Sequence, residues 1–135
     1  GLDPDVKTIT LDTGEQLQWN KLMIATGATP RQLDVEGADL DGVHYLRTVS
    51  DARSIRDELQ QAERVAVVGM GFIGAEVAAT ARMLGKEVVA IEATDLPLAP
   101  LGREVSDRLM QVHRERGVDI RTNTLVTGFL GFDHI

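Results

Sequence analysis

The sequence predicts an α/β protein built on a doubly wound parallel sheet and preceded by a short β-hairpin. Over residues 64–121, apolar runs of strand length alternate with segments of helical periodicity in the order strand, helix, strand, helix, strand. A glycine-rich turn, Gly69–Gly74, joins the first of these strands directly to the helix that follows. The hairpin is predicted by period-two alternation on both sides of the turn at Asp12–Gly14.

Composition restricts the classes of function. With 43% hydrophobic and 26% charged residues, the 135-residue chain can bury a core and stay soluble. The net charge of −7 and the 4% aromatic content argue against binding to nucleic acid or to an anionic membrane. Without Cys, the chain carries no disulfide, thiolate nucleophile or Cys-ligated zinc. No apolar run approaches the roughly 20 residues that cross a bilayer, and residues 1–10 do not resemble a signal peptide, so we expect a cytoplasmic setting.

Three elements are predicted before residue 43. Val6–Leu11 and Glu15–Trp19 form the hairpin. Lys21–Ala25 is a brief apolar run ended by Thr26-Gly27, which is typical of a strand buried on both faces. Pro30–Gly42 contains two Gly and four acids and predicts a solvated loop, because the spacing of the acids does not match an EF-hand.

Three helices are predicted after this loop. Thr48–Asp51 has the form of a capping box and starts the first, which has an apolar face at Ala52, Ile55, Leu59 and Ala62. Ala75–Leu84 forms the second and Gly85 ends it. The third covers Arg103–Arg116 and ends at Gly117. Its residues predicted to face inward are Val105, Leu109 and Val112. The strands predicted between and after the helices are Arg64–Val68, Lys86–Ile91, Val118–Arg121 and Leu125–Leu130.

The glycine turn predicts a dinucleotide site in a Rossmann-like fold. Gly69 permits the tight turn from strand to helix, and Gly71 has no Cβ to keep a diphosphate away from the backbone. Gly74 lets the helix pack closely on the strand, and Ala78 extends this contact by one turn. Free N–H groups at the positive end of the helix would hold the diphosphate. The alternative is a glycine turn that only packs a helix, but the strand before it and the helix after it favour the nucleotide site.

An acid ends the next strand where a ribose-binding carboxylate belongs. Glu92 comes 18 residues after Gly74 and can accept hydrogen bonds from both hydroxyls of an adenosine ribose. A 2′-phosphate would meet the charges of Glu92 and Asp95, and residues 93–102 contain no Arg or Lys. We therefore expect NAD(H) to be preferred over NADP(H).

Other polar residues give weaker indications. Glu76 falls in the first turn of the predicted helix, where the helix dipole favours a carboxylate with or without a chemical role, so both interpretations stay open. Arg114 and Arg116 are interpreted as a solvated helix face rather than a partner surface. His44 and His113 are interpreted as structural rather than catalytic, because neither has a Ser, Cys or paired acid at a suitable spacing, and no role is assigned to His134. No metal-ligand cluster is apparent.

The segment Val67–Ala79 resembles the NADH-binding segment of the FAD-dependent pyridine nucleotide-disulfide oxidoreductase family. The likeness is greatest to NADH-dependent ferredoxin reductases of the putidaredoxin and biphenyl dioxygenase type. Three flanking segments agree with the same family, namely Ala25–Arg31, Gly42–Thr48 and His113–Ile120, and the four motifs occur in the family's order. The resemblance implies a flavoprotein oxidoreductase that passes electrons from NADH through FAD to a ferredoxin or a rubredoxin.

The resemblance also implies a division of the chain. Residues 1–31 would be the tail of the first FAD-domain segment, and residues 32–135 an NADH-binding domain truncated before its closing strand. We therefore expect the chain to be part of a longer protein and inactive alone. Since the two domains of this family are similar folds, the N-terminal segment could fill the vacant place in the sheet, with residues 21–27 as a strand.

Roles for individual residues follow from the same resemblance. Those implied to face the dinucleotide are Gly69, Gly71, Phe72, Ile73 and Gly74, with Glu92 on the ribose. Those implied to lie at the FAD are Ala25, Thr26 and Gly27, with Arg31 just beyond. Glu76 would approach the nicotinamide end, where hydride passes to flavin N5. Relatives often carry an Arg after the ribose acid, and residues 93–100 here do not, so neither a phosphate nor an adenine contact is implied from that loop.

Two alternatives remain open at the level of sequence. The same nucleotide domain occurs in disulfide reductases, nitrite reductases and proteins like apoptosis-inducing factor, which differ in their electron acceptor. A free-standing NAD-binding or sensing module without turnover is the other. The segment Ala25–Gly27 counts against the second alternative, because it has no evident use without FAD.

Overall fold

The structure, a computed structural model, describes residues 1–131, which contain two three-stranded sheets. The antiparallel sheet consists of β1 (Leu2–Asp3), β2 (Thr8–Thr10) and β3 (Gln16–Gln18). The parallel sheet consists of β4 (Arg64–Val68), β5 (Glu87–Ile91) and β6 (Val118–Arg121), in that order. The helices are α1 (Val49–Gln61), α2 (Phe72–Met83) and α3 (Arg103–Glu115), with a 3-10 turn at Ala99–Leu101.

The parallel sheet confirms the predicted α/β class. β4 pairs with β5 residue by residue from Arg64↔Glu87 to Val68↔Ile91, and β5 pairs with β6. A helix connects each pair, since parallel neighbours need a crossover. Alanines fill the layer between α2 and the sheet, and the side chains of Ala78, Ala81 and Ala90 are fully buried. These small side chains let the helix approach the strands closely, as predicted for Ala78.

The first helix begins at the predicted capping box. The Thr48 hydroxyl accepts a hydrogen bond from the Asp51 N–H at 3.2 Å, and the Asp51 carboxylate accepts one from the Thr48 N–H at 2.6 Å. The N–H groups of Thr48 and Arg47 donate to the Asp51 carboxylate and, together with the Thr48 side chain, lower the pKa of Asp51. Two helix-end donors are thereby satisfied, which fixes where α1 starts.

The second and third helices depart from prediction in detail. α2 begins at Phe72 rather than Ala75, because the chain completes its turn by Gly71, which is the N-cap. Glu76 consequently lies beyond the first turn of α2, so the prediction that the helix dipole favours a carboxylate at this position is wrong. In α3 the predicted inward position of Val105 is also wrong, since its side chain is 45% exposed. The helix is rotated so that Ser106 and Met110 are buried instead, and the Ser106 hydroxyl donates to the carbonyl of Pro97.

The predicted hairpin is confirmed, and β1 extends it into a meander. β2 and β3 pair in the register Thr8↔Gln18 to Thr10↔Gln16, and the turn closes with the N–H of Gly14 donating to the carbonyl of Leu11 at 3.1 Å. The predicted loop over residues 30–42 is likewise free of helix, and Glu36 forms an isolated parallel bridge with Gly128.

Two predicted strands are wrong. Residues 21–25 form no strand, and the side chains of Met23 and Ile24 are 87% and 70% exposed. Because the parallel sheet holds β4, β5 and β6 alone in the described part, the expectation that residues 21–27 fill a place in it is wrong as well. Residues 125–130 make a single bridge through Gly128 rather than a strand, because their partner is a loop residue, Glu36. An extended run without a continuous neighbour cannot pair its backbone groups.

None of the helices in the described part combines the length and the hydrophobicity that a bilayer crossing requires.

Candidate functional site

The glycine turn lies at the carboxyl end of β4, where it connects the central layer to α2. Gly69 has a φ of +93°, a conformation that residues with a Cβ rarely adopt, so the turn requires glycine at this position. The N–H of Gly69 donates to the carbonyl of Ile91 at 2.7 Å, which fastens the turn to the end of β5. Ligands in open parallel sheets bind at this edge, outside the carboxyl ends of the strands.

The other two glycines of the turn differ in what surrounds them. A Cβ on Gly74 would lie 1.8 Å from the carbonyl oxygen of Gly69, so a side chain there is incompatible with the turn itself. A Cβ on Gly71 would meet no atom within 4 Å and would project into open space. Gly74 is therefore required by the fold, whereas the absence of a side chain at Gly71 leaves the start of α2 accessible.

The predicted ribose acid is hydrogen-bonded to the glycine turn. Oε2 of Glu92 accepts from the N–H of Met70 at 2.8 Å. Oε1 accepts from the N–H of Thr94 at 3.0 Å and from the Thr94 hydroxyl at 2.9 Å. The fold thus brings together two residues, Met70 and Glu92, that are 22 positions apart in sequence, and three protein donors hold the carboxylate beside the turn.

These donors decide the ionisation of Glu92. Burial is the strongest single influence and raises the pKa of the carboxyl group. The N–H of Thr94, the N–H of Met70, the Thr94 hydroxyl and the N–H of Ala93 act in the opposite direction. Together they hold the pKa of Glu92 below its ordinary value of 4.5, so the side chain carries its charge at neutral pH.

Met70 is a site residue that sequence reasoning missed. Its side chain is 1% exposed, its N–H donates to Glu92, and its carbonyl accepts from the N–H of Leu98 at 2.9 Å. The glycine turn is therefore held on both sides by the segment that follows β5. The only sequence signal for Met70 is its position as an apolar residue between two glycines. Thr94, the other residue that donates to Glu92, was also missed and has no such signal in the sequence.

The loop after β5 contains an ion pair that the sequence did not reveal. Arg103, the first residue of α3, donates to the carboxylate of Asp95 at 2.7 Å, with both side chains mostly exposed. The hydrogen bond and charge of Arg103 lower the pKa of Asp95, and those of Asp95 raise the pKa of Arg103. Residues 93–102 carry no cation, as noted, and the cation at residue 103 is already paired with an acid of the same loop.

The first turns of α2 are exposed beside the glycine turn. The side chains of Phe72 and Ile73 are both about half exposed (53% and 54%), and Glu76 is exposed one turn further on. These residues present an apolar surface followed by a carboxylate along one accessible stretch of helix. The backbone carbonyl of Glu76, not its carboxylate, accepts a hydrogen bond from the Thr80 hydroxyl at 2.9 Å.

The segment predicted to lie at FAD, residues 25–31, is placed against the start of α1. Nε of Arg47 donates to the carbonyl of Ala28 at 3.0 Å, and Gly27 has a φ of +79°. An open cleft of about 610 Å³ lies between them, with Pro30, His44, Tyr45 and Ser54 among its lining residues. Ala25, Thr26 and Arg31 are exposed, and no hydrogen bond in the described part joins this segment to the glycine turn.

One histidine of α3 joins this helix to α2. Nδ1 of His113 lies 2.9 Å from the carbonyl oxygen of Leu109, and Nε2 lies 3.0 Å from that of Ala75, so the ring bridges α3 and α2. Arg114 and Arg116 are exposed on a solvated face. Residues 1–131 contain no group of three or more potential metal ligands, and His134 lies outside the described residues.

Comparison with known proteins places this geometry in a family. The family model described as pyridine nucleotide-disulphide oxidoreductase matches residues 1–134. The ferredoxin–NAD(+) reductase component of the p-cumate 2,3-dioxygenase system of Pseudomonas putida is 43% identical over 129 residues, which are 95% of this chain and 32% of that protein. A rubredoxin–NAD(+) reductase of Pseudomonas putida is 36% identical over 131 residues, or 96% of this chain and 34% of that protein.

A solved structure agrees with these relatives. The ferredoxin reductase for the CYP199A2 system from Rhodopseudomonas palustris matches with a TM-score of 0.81 and 32% identity, over 97% of this chain and 33% of that one. The chain therefore spans about a third of the length of the proteins it matches. Since the family model covers nearly every residue, the chain belongs to the pyridine nucleotide-disulphide oxidoreductase family, as its glycine turn and flanking motifs predicted.

Proposed function

We propose that this chain binds NAD(H) and forms the NADH-binding part of a FAD-dependent reductase whose electrons pass to a ferredoxin or a rubredoxin. One observation carries the proposal: the ionised carboxylate of Glu92 is hydrogen-bonded to Met70 inside the glycine turn, next to the open surface at Gly71. The names of the ferredoxin and rubredoxin reductases that the chain resembles support the acceptor class.

The glycine turn fits the diphosphate of a dinucleotide. Gly71 leaves the N-terminus of α2 uncovered, and the free N–H groups of the first turn point toward a ligand there. α2 is 12 residues long, so its dipole adds attraction for negative charge at this end. The exposed side chains of Phe72 and Ile73 border the same space and would give the ligand an apolar contact.

Glu92 and its surroundings favour NADH over NADPH. A carboxylate accepts hydrogen bonds from ribose hydroxyls but repels a 2′-phosphate. The nearest cation along the following loop, Arg103, is paired with Asp95 and so is not available to balance that phosphate. Both effects act in the same direction.

The remaining roles extend the proposal to the flavin. When bound, NADH and FAD would supply the hydride and single-electron chemistry, and the residues of this chain would position them. Within this chain, Glu76 would orient the nicotinamide end from the second turn of α2. Ala25, Thr26, Gly27 and Arg31 would contact FAD, so residues 1–31 would complete a FAD domain and residues 32–135 would form the NADH domain. A cytoplasmic location belongs to the same proposal, because NADH is a cytoplasmic electron donor.

Calorimetric titration of the chain with NADH and NADPH tests the central claim. We expect saturable binding of NADH and at least about tenfold weaker binding of NADPH. Gly71→Ala should weaken NADH binding by at least about tenfold, because its Cβ enters the space for the diphosphate while touching no protein atom. Reduction of a ferredoxin by a flavoprotein that contains this chain then tests the acceptor.

Thr48→Ala is the matched control for stability. It weakens the N-cap of a different helix by about 1 kcal/mol and does not touch the glycine turn, so NADH binding should be retained. Failure of the unaltered chain to bind NADH, or equal NADH affinity in Gly71→Ala, contradicts the proposal.

A further inference from the structure

Thr94 donates two hydrogen bonds to the Glu92 carboxylate. Its N–H and its hydroxyl both donate to Oε1, at 3.0 and 2.9 Å. The hydroxyl also lies 3.4 Å from the carbonyl oxygen of Leu96, which is a longer and weaker alternative. Because a charged acceptor forms the stronger hydrogen bond, the hydroxyl proton points to Glu92.

The backbone around Thr94 is itself held by the end of β6. The N–H of Asn123 donates to the carbonyl of Thr94 at 3.0 Å, and the N–H of Thr124 donates to the carbonyl of Glu92 at 3.0 Å. The N–H of Glu92 donates to the carbonyl of Arg121 at 2.8 Å. Both residues are therefore fixed at the backbone, and the Thr94 hydroxyl acts on Glu92 from a defined position.

We infer that Thr94 is a positioning residue that holds the carboxylate of Glu92 at the glycine turn and thereby strengthens the choice of NADH over NADPH. The inference rests on the proposed function. Thr94 needs no contact with the dinucleotide, since it acts through Glu92. The positioning role of Thr94 follows from its two hydrogen bonds to Glu92.

Fixing the carboxylate affects the two cofactors differently. A Glu side chain has three rotatable bonds, so an unrestrained carboxylate must be ordered before it can accept from ribose hydroxyls. The same freedom would let the charge swing away from a 2′-phosphate and reduce the repulsion. Loss of the Thr94 hydroxyl should therefore weaken NADH binding but spare NADPH binding, whereas a mere loosening of the loop would weaken both equally.

The first test compares Thr94→Val with Thr94→Ser by calorimetry on the 135-residue chain. For Thr94→Val we expect NADH affinity to fall about threefold to tenfold, as for the net loss of one typical hydrogen bond, because two backbone N–H groups still hold the carboxylate. The affinity for NADPH should stay within about twofold, and Thr94→Ser should restore the NADH value. Thr13→Val is the matched control, because its hydroxyl accepts only from the N–H of Glu15 in the hairpin.

The second test follows the titration of the Glu92 carboxyl group by NMR without any cofactor. Because hydrogen bonds from the Thr94 hydroxyl lower the pKa of Glu92, Thr94→Val should raise it toward the ordinary value and Thr94→Ser should not. Equal loss of both cofactors, or an unchanged Glu92 titration in Thr94→Val, overturns the inference. If the unaltered chain binds neither cofactor, the proposed function fails, and the titration still decides whether Thr94 holds Glu92.

Discussion

Two five-residue segments of the chain share one pattern, a basic residue followed by four apolar ones, and have different structures. Arg64–Val68 forms β4 and pairs with β5 along its whole length. Lys21–Ala25 forms no strand and exposes the side chains of Met23 and Ile24. Each segment leads to a glycine with positive φ, +79° at Gly27 and +93° at Gly69.

The difference shows that a buried strand is a property of its neighbours as much as of its own residues. β5 follows β4 after one helix and supplies the hydrogen bonds that the backbone of β4 requires. In the described part of the chain, residues 21–25 have no strand beside them. In the proposed reductase, the neighbours of this segment would come from the rest of the FAD domain.

The largest expected effect concerns the turn after β4. Gly74→Ala places a Cβ 1.8 Å from the carbonyl oxygen of Gly69, so the backbone must move. We expect the free energy of unfolding to fall by about 3 kcal/mol or more in urea denaturation. Gly71→Ala, three residues earlier, meets no atom within 4 Å and should cost less than about 1 kcal/mol. If the two variants lost similar amounts of unfolding free energy, α2 would not approach the turn at Gly74 as closely as the structure shows.

A smaller effect distinguishes the two apolar segments directly. Val67→Ala removes two methyl groups from a side chain that is 7% exposed and should lower the free energy of unfolding by about 2 kcal/mol. Ile24→Ala removes more apolar volume from an exposed site and should change it by less than about 0.5 kcal/mol. A loss of about 2 kcal/mol for Ile24→Ala would mean that residues 21–25 are buried after all.

The smallest expected effect is the pH dependence of stability that Glu92 contributes near β4. Residues 21–25 contain no acid and contribute no such effect. Because hydrogen bonds lower the pKa of Glu92 in the folded chain below its ordinary value of 4.5, its charge stabilises the fold above pH 4.5. That contribution is lost as the pH falls through the lowered pKa. Urea denaturation between pH 7 and pH 3 should therefore show the stability difference between the unaltered chain and Glu92→Gln shrinking on acidification.

The lowered pKa values of Asp51 and Asp95 are present in both proteins of that comparison, so their contributions cancel. A difference that stays constant from pH 7 to pH 3 would contradict the assigned hydrogen bonds of Glu92.

Predictions from sequence were correct where the cause is local. Thr48 and Asp51 form their capping box within one turn. β4 and β6 have the predicted bounds, because β4 is a short apolar run and β6 alternates apolar and charged residues directly after Gly117. The position of Glu92 next to the glycine turn was also predictable, since the order of strand, helix and strand brings these two ends to one edge of the sheet.

The remaining features depend on contacts between distant residues. The inward face of α3 is set by the packing of Ser106 against the segment at Pro97, and a periodicity argument cannot distinguish this face from the one that contains Val105. The hydrogen bonds from Met70 and Thr94 to Glu92 require the loop after β5 to fold back over the turn. No pattern in the sequence reports the direction of that loop.

The hydrogen bond between Met70 and Glu92 has a consequence for protein engineering. A design that exchanges the nucleotide preference by neutralising the acid also removes the acceptor for the N–H of a buried residue, at a cost of about 1–3 kcal/mol. An amide in place of the carboxylate accepts on one side only and would turn its NH₂ group toward either Met70 or Thr94, both of which are donors. A successful exchange at this position therefore requires a paired redesign of residues 92 and 94.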